Sequence, residues 1–240
     1  MRCLRRRVVE SEVRRKAGHF EDAAAARVAI LSGPSFAAET ARGEPTAVVV
    51  AGRAVLELTR VTGRHYADPA GEIQSEFAGP GFRLYTNNDV LGVELAGAMK
   101  NVIAIAAGAC SGLGLGTNSL AALITRGLAE MARLAARLGA KPETMSGLAG
   151  LGDLVLRCTG TLSRNRYVGS ELAKGRDLKE ILAGMKMVAE GIGTTAALLD
   201  LATEANVELP ITEQVNAILH EGKSPADAIR DVMERPSKRE

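Results

Sequence analysis

"NNDVLGVELAGAMKNVIAIAAGAC", residues 87–110, decides how this chain is read. Before it, apolar residues come in short β-branched runs; after it, they recur at helical spacing. Asn88 and Asp89 both suit a helix N-cap. Around Lys100 and Asn101 everything is small or apolar. An ammonium in such surroundings gives up its proton more easily, which suits a general acid or base. The lysine stem can equally lie on apolar surface with its head in water. Periodicity leaves both readings open, and Asn101 can serve a backbone group or a ligand.

Upstream, "VAILSGPSFAAETARG" reads as a short strand, a Gly-Pro turn and a short helix, and "PTAVVVAG" as a buried strand. Residues 53–81 read as mixed and loop-like, with a helical piece in "AVLELTRV", and "FRLYTN" (Phe82–Asn87) as one more strand. This strand–helix–strand rhythm suggests a doubly wound sheet. Residues 1–27 lack clear periodicity and form a basic arm. Downstream, "SLAALITRGLAEMARLAARLGAKP" is an amphipathic helix with Leu120, Leu123, Ile124, Leu128, Met131, Leu134 and Leu138 on one face. Further helices fit 167–174, 177–184, 193–206, 212–221 and 225–234, the last started by Ser224-Pro225. The expected boundary lies near residue 87: an α/β piece, then an all-helical one.

Composition narrows the function. The chain has 240 residues, a formal charge of +2 and 3% aromatics with no Trp, so neither a basic footprint nor stacking platforms for nucleic acid are expected. Cys3, Cys110 and Cys158 are far apart and read as reduced thiols of a cytoplasmic protein, without a disulfide framework or a metal site. The longest apolar run, near 102–110, is too short to cross a bilayer.

Three stretches can carry chemistry. "GLAGLGDLVLRCTGTLSRNRYVG" (147–169) contains Asp153 and then Ser163, Arg164 and Asn165 before a helix. A guanidinium fork with neutral donors beside it suits a phosphate; a solvated basic loop is the plainer reading. "SGPSFA" (32–37) puts a turn straight after a strand, where open α/β sheets bind ligands, although a tight turn alone explains it. The glycine strings at 111–119 and 147–153 imitate dinucleotide fingerprints, yet neither follows a strand, and both read as loops between helices.

Taken together and in order, "LSGPSFAAE", "GVELAGAMKNVIAIAAG", "ALITRGLAEM", "GLAGLGDLVLRCTGTLSRNR", "VAEG" and "LPITEQV" strongly resemble the bacterial-type NAD(P)-dependent glycerol-3-phosphate dehydrogenase family. The resemblance runs from about residue 28 to the C-terminus. It implies an α/β remnant of a Rossmann domain over 28–87, following a poorly matched segment 1–27. A mainly helical domain over 88–240, similar to the C-terminal domain of 6-phosphogluconate dehydrogenase, would come next. It implies an oxidoreductase that interconverts dihydroxyacetone phosphate and sn-glycerol 3-phosphate with NAD(P)H, feeding glycerophospholipid synthesis, as a cytoplasmic enzyme that can form a homodimer. By motif position Lys100 is the expected proton donor and acceptor. Gly33, Ser35, Asp153, Ser163, Arg164 and Asn165 are expected to join Lys100 around the substrate, and Ala37, Arg164, Val188 and Glu190 to contact the cofactor. The departures are the missing early Rossmann strand with its GxGxxG-type loop, a longer 53–76 segment, and Arg157 where the family usually has Thr. They leave one alternative standing, a non-catalytic remnant that binds a sugar phosphate or dimerises; the "SRNR" and "GLGDL" loops argue against another dehydrogenase with a similar helical domain, such as a β-hydroxyacid type.

Overall fold

The computed structural model describes residues 29–52, 69–185 and 187–236. The basic arm 1–27, the "AVLELTRV" helix and most of the longer 53–76 segment lie outside the described residues. The chain divides into two compact units. One takes the residues up to Gly97 together with Leu138–Asp153; the other takes Ala98–Arg137 and the residues from Leu154 on.

The first unit is built on a three-stranded sheet in the order β1 (Ala29–Ser32), β2 (Thr46–Gly52), β3 (Phe82–Asn87). Short helix α1 (Ala37–Ala41) follows β1, and α2 (Pro69–Phe77) precedes β3. Strands β2 and β3 are parallel, with Thr46 opposite Phe82 and Ala51 opposite Asn87, which gives the expected crossover rhythm. The doubly wound expectation needs one correction: β1 runs antiparallel to β2, with Ala29 opposite Gly52. The turn at Gly33 sends the chain back along β2. Gly33 has φ +144°, and a Cβ there would stand 2.9 Å from the Val48 backbone, so only glycine fits. The run "VVVA" is apolar throughout because β2 is covered on both faces. Val48 and Val50 pack with Ala70 and Leu84, while Val49 and Ala51 pack with Val93 and Ala149. Residues 69–77, expected as loop, are helical instead; Gln74 Nε2 donates to the Leu84 carbonyl at 2.8 Å and ties α2 to β3.

Helices account for the rest: α3 (Val90–Gly112), α4 (Thr117–Arg137), α5 (Pro142–Ser146), α6 (Asp153–Thr159), α7 (Arg164–Ala173), α8 (Leu178–Ala183), α9 (Glu190–Ala205), α10 (Pro210–His220) and α11 (Pro225–Met233). Asp89 is the N-cap of α3: its Oδ1 accepts from Gly92 N at 2.9 Å. Its Oδ2 accepts from Lys141 N at 2.8 Å and Thr144 Oγ1 at 2.7 Å, which fastens α5 to the start of α3. The string 147–153, expected as a loop, is a π-helical turn (Leu148–Gly152) running directly into α6. Its small residues permit this, since a Cβ at Gly150 would meet the Met145 carbonyl at 2.1 Å. α7 likewise begins at Arg164, three residues before the expected start, because Ser163 Oγ caps it by accepting from Arg166 N.

In the second unit α3 is the axis. At 23 residues and a mean hydropathy of 1.6, this helix is long and apolar enough to cross a membrane, which the shorter run at 102–110 did not suggest. Yet 72% of its apolar window is buried inside the chain, which makes it a core helix. Its small residues serve a backbone-to-backbone crossing with α7. A Cβ at Gly108 would fall 1.9 Å from the Arg166 carbonyl oxygen, and one at Gly169 would fall 1.9 Å from that of Ile105. Polar side chains close the helix ends. Glu130 of α4 is buried and accepts from Ile211 N at 2.6 Å, Thr212 N at 3.3 Å and Thr212 Oγ1 at 3.2 Å at the start of α10. Arg137 Nε donates to the Ala205 carbonyl, the last of α9, at 2.9 Å.

Candidate active site

The helical unit contains a hydrogen-bonded clamp. Asn165 Nδ2 donates to Asn101 Oδ1 at 3.0 Å, Asn165 Oδ1 accepts from Gly191 N at 3.0 Å, and Asn101 Nδ2 donates to Glu190 Oε2 at 3.3 Å. Three helices, α3, α7 and α9, are pinned at one point. Gly191 allows it, since a Cβ there would sit 2.7 Å from the Asn101 carbonyl oxygen. Asn101 and Asn165 are 5% and 6% exposed, so an unmet amide here would cost about 1–3 kcal/mol.

Three of the four clamp residues directly follow a candidate from the sequence: Lys100 precedes Asn101, Arg164 precedes Asn165, and Glu190, itself in the clamp, precedes Gly191. The clamp therefore gathers these three onto neighbouring helix turns. Lys100 is buried at 8% exposure. Ser163 is buried at the N-terminus of α7, where helix-end backbone dipoles favour an anion. Arg164, half-buried, is the first residue of that helix. One lone pair of the Ser163 hydroxyl is taken by Arg166 N, and its proton is still available to donate. Asn165 is chiefly a strut, with one Nδ2 proton left for a ligand. Val188 is 74% exposed just before α9. Arg166, the second arginine of "SRNR", turns inward and donates from Nη2 to Ser111 Oγ at 3.1 Å.

The first unit holds the other candidates. Ser35 Oγ donates to the Gly33 carbonyl at 3.1 Å and closes the turn after β1; Ala37 is exposed at the start of α1. Asp153, the last residue of the first unit, is fully buried in the first turn of α6; Arg157, which belongs to the second unit, is half-buried near the end of that helix. Among the described residues no three His, Cys, Asp or Glu side chains come together as a metal site.

Three buried groups in the helical unit are shifted by their surroundings. Burial pushes the Glu130 carboxyl up to about 7, against the pull of the Ile211 and Thr212 N–H groups, the Arg133 charge and the Thr212 hydroxyl. Burial pushes the Cys158 thiol up to about 12 and raises Cys110 as well, so both are poor nucleophiles.

This combination defines an α/β unit with a helical unit that offers a buried lysine beside an anion-friendly helix start. Comparison with known proteins places it. The model of the NAD-dependent glycerol-3-phosphate dehydrogenase C-terminus matches residues 89–230, and that of the N-terminus matches residues 10–55. The chain belongs to the NAD-dependent glycerol-3-phosphate dehydrogenase family. It is 59% identical over 212 residues to glycerol-3-phosphate dehydrogenase (NAD(P)+) of Koribacter versatilis, covering 88% of this chain and 59% of that protein. It is 54% identical to the enzyme of the same name from Myxococcus xanthus, covering 89% and 60%. The crystal structure of glycerol-3-phosphate dehydrogenase from Coxiella burnetii superposes with a TM-score of 0.78 at 44% identity, covering 86% of this chain and 60% of that one. The Saccharomyces cerevisiae enzyme gives 0.73 at 26% identity, covering 85% and 59%. These neighbours bear out the fold class, a Rossmann remnant followed by a helical domain. The chain spans about three-fifths of the length of the curated relatives it matches.

Residues 101 and 191 were not among the site residues expected from the sequence. Asn101 carried a weak signal as an amide in an apolar helix, but its partners are 64 and 89 positions away.

Proposed function

We propose that this chain carries the substrate half of a glycerol-3-phosphate dehydrogenase, with residues 88–240 as the substrate domain and 28–87 as part of the cofactor domain. The reaction interconverts dihydroxyacetone phosphate and sn-glycerol 3-phosphate in glycerophospholipid synthesis, as a cytoplasmic enzyme that can form a homodimer. The observation that supports it best is the clamp, which holds Lys100 and Arg164 on adjoining turns of α3 and α7.

In this reading the phosphate lies at the start of α7. Arg164 supplies the guanidinium and Ser163 a hydroxyl donor, with the spare Nδ2 proton of Asn165 beside them. Lys100 stabilises the negative charge that grows on the ketone oxygen and then gives it a proton; in the reverse direction it takes the hydroxyl proton away. Gly33 and Ser35 are further substrate contacts, and Asp153 is the acidic partner.

NAD(P)H supplies the hydride when bound. Ala37, Arg164, Val188 and Glu190 offer it side-chain and backbone contacts. A dinucleotide's pyrophosphate is cradled by backbone N–H groups at a glycine-rich strand-to-helix turn. Among the described residues, the turn after β1 contains Pro34, which has no N–H, and the turn after β3 is closed by Asp89. The described residues therefore fit the cofactor's edge but not its pyrophosphate.

Calorimetric titration of the purified chain with glycerol 3-phosphate, with and without NADPH, tests this. Saturable binding that Arg164→Ala abolishes is the expected result. Absence of binding in both conditions would favour a non-catalytic remnant.

A further inference from the structure

Away from these residues the helical unit contains a cavity of about 460 Å³. It lies among the C-terminal end of α3, the first half of α4, and helices α10 and α11. Its volume falls in the range of about 300–1,000 Å³ that holds an organic ligand. Its wall is almost wholly aliphatic, and its polar members are Asn118, Ser119, Arg126 and Gln214. Arg126, exposed on α4, is the one charged residue in the lining among the described residues. Gln214 accepts from Lys223 Nζ at 2.6 Å, and Lys223 is itself paired with Asp231, so the charge offered to the cavity comes from Arg126. Among the described residues no carboxylate lines the cavity. At the rim, Leu115 and Met233 are 40% and 77% exposed.

We propose that this cavity binds a single-tailed anionic amphiphile, an alkyl carboxylate whose chain lies among α3, α4, α10 and α11 and whose head meets Arg126. The aliphatic wall gives affinity that grows with chain length, and the lone lining cation gives the choice of head group. Neither Lys100 nor the α7 N-terminus takes part, so this site is separate from the proposed substrate site. The exposed apolar rim lets the chain enter without passing a polar barrier.

The test titrates the full chain by calorimetry with hexanoate, octanoate, decanoate and dodecanoate, each below its micelle concentration. The expected result is saturable one-to-one binding that tightens roughly three- to fourfold per added methylene until the cavity is full. Arg126→Gln should weaken dodecanoate about tenfold and leave dodecanol unchanged. Ala122→Phe, which fills the cavity from α4, should abolish both while its circular dichroism and thermal midpoint stay near those of the parent. Dodecyltrimethylammonium binding as tightly as dodecanoate would overturn the proposal, as would non-saturating uptake or binding indifferent to Ala122→Phe. A second copy of the chain is the competing occupant. A dimer by light scattering that Ala122→Phe turns into a monomer, with no carboxylate binding to either, would also overturn it.

Discussion

The α3–α7 crossing and the β2–β3 sheet are both buried, yet they are held in opposite ways. At the crossing, backbone meets backbone through Gly108 and Gly169, and the polar clamp of Asn101, Asn165 and Gly191 adds direction. In the sheet, β-branched and aliphatic side chains fill the space on both sides of β2. One region has no room for a methyl group; the other has no methyl group to spare. A crossing of the first kind fixes helix positions tightly, and the candidate catalytic residues stand there.

The largest effect should come from Gly169→Ala. Its new Cβ collides with the Ile105 carbonyl, where nothing flexible can yield, so the helical unit should lose about 3 kcal/mol or more by urea unfolding. Gly116→Ala, which meets nothing within 4 Å, should change stability by less than about 0.5 kcal/mol. Equal effects for the two would dissolve the contrast.

Next comes Glu130, whose folded-state carboxyl is pushed up to about 7 from an ordinary value of 4.5. Below 4.5 the group is protonated folded or unfolded and contributes no pH dependence. Between 4.5 and about 7 the unfolded chain releases the proton first, so stability falls as pH rises. The fall should amount to about 3 kcal/mol, and Glu130→Gln should flatten that part of the stability–pH curve. A slope that Gln leaves untouched would assign it to other groups.

Asn165→Ala should cost about 2 kcal/mol by removing the acceptor of the buried Gly191 N–H and the donor to Asn101 Oδ1, and should weaken glycerol 3-phosphate binding by more than the stability loss explains. In the sheet, Val48→Ala should cost about 1–2 kcal/mol as a small cavity, with no effect on that binding. If Val48→Ala lowered binding as much as Asn165→Ala, the clamp would have no special part in the site.

Much of the fold was legible in the sequence, because its signals are local. A β-branched run bounded by Pro45 and Gly52 made β2, and Asp89 before an apolar run made the start of α3. What was missed depends on partners far along the chain. A helical glycine reads as a weakness until the opposing backbone is seen, and Ile105 and Gly169 are brought together only by tertiary structure. Glu130 fell outside the apolar face of its helix, yet it caps a helix 81 positions later. The π-helical turn escaped because glycines at 147, 150 and 152 carry a turn signal whichever way the backbone winds. Within the candidate site, Lys100, Ser163 and Arg164 were picked out by residue type and motif. The role of Asn165 as a strut, and the whole of Asn101, needed the partners.

The two buried thiols give the helical unit an internal clock. Cys158 lies fully buried at the end of α6, while Cys110, near the end of α3, lines the aliphatic cavity; burial raises both thiols. A thiol reagent can reach Cys158 only when the packing around it opens. The rate at which it is alkylated in the native chain would thus count how often that part of the unit breathes.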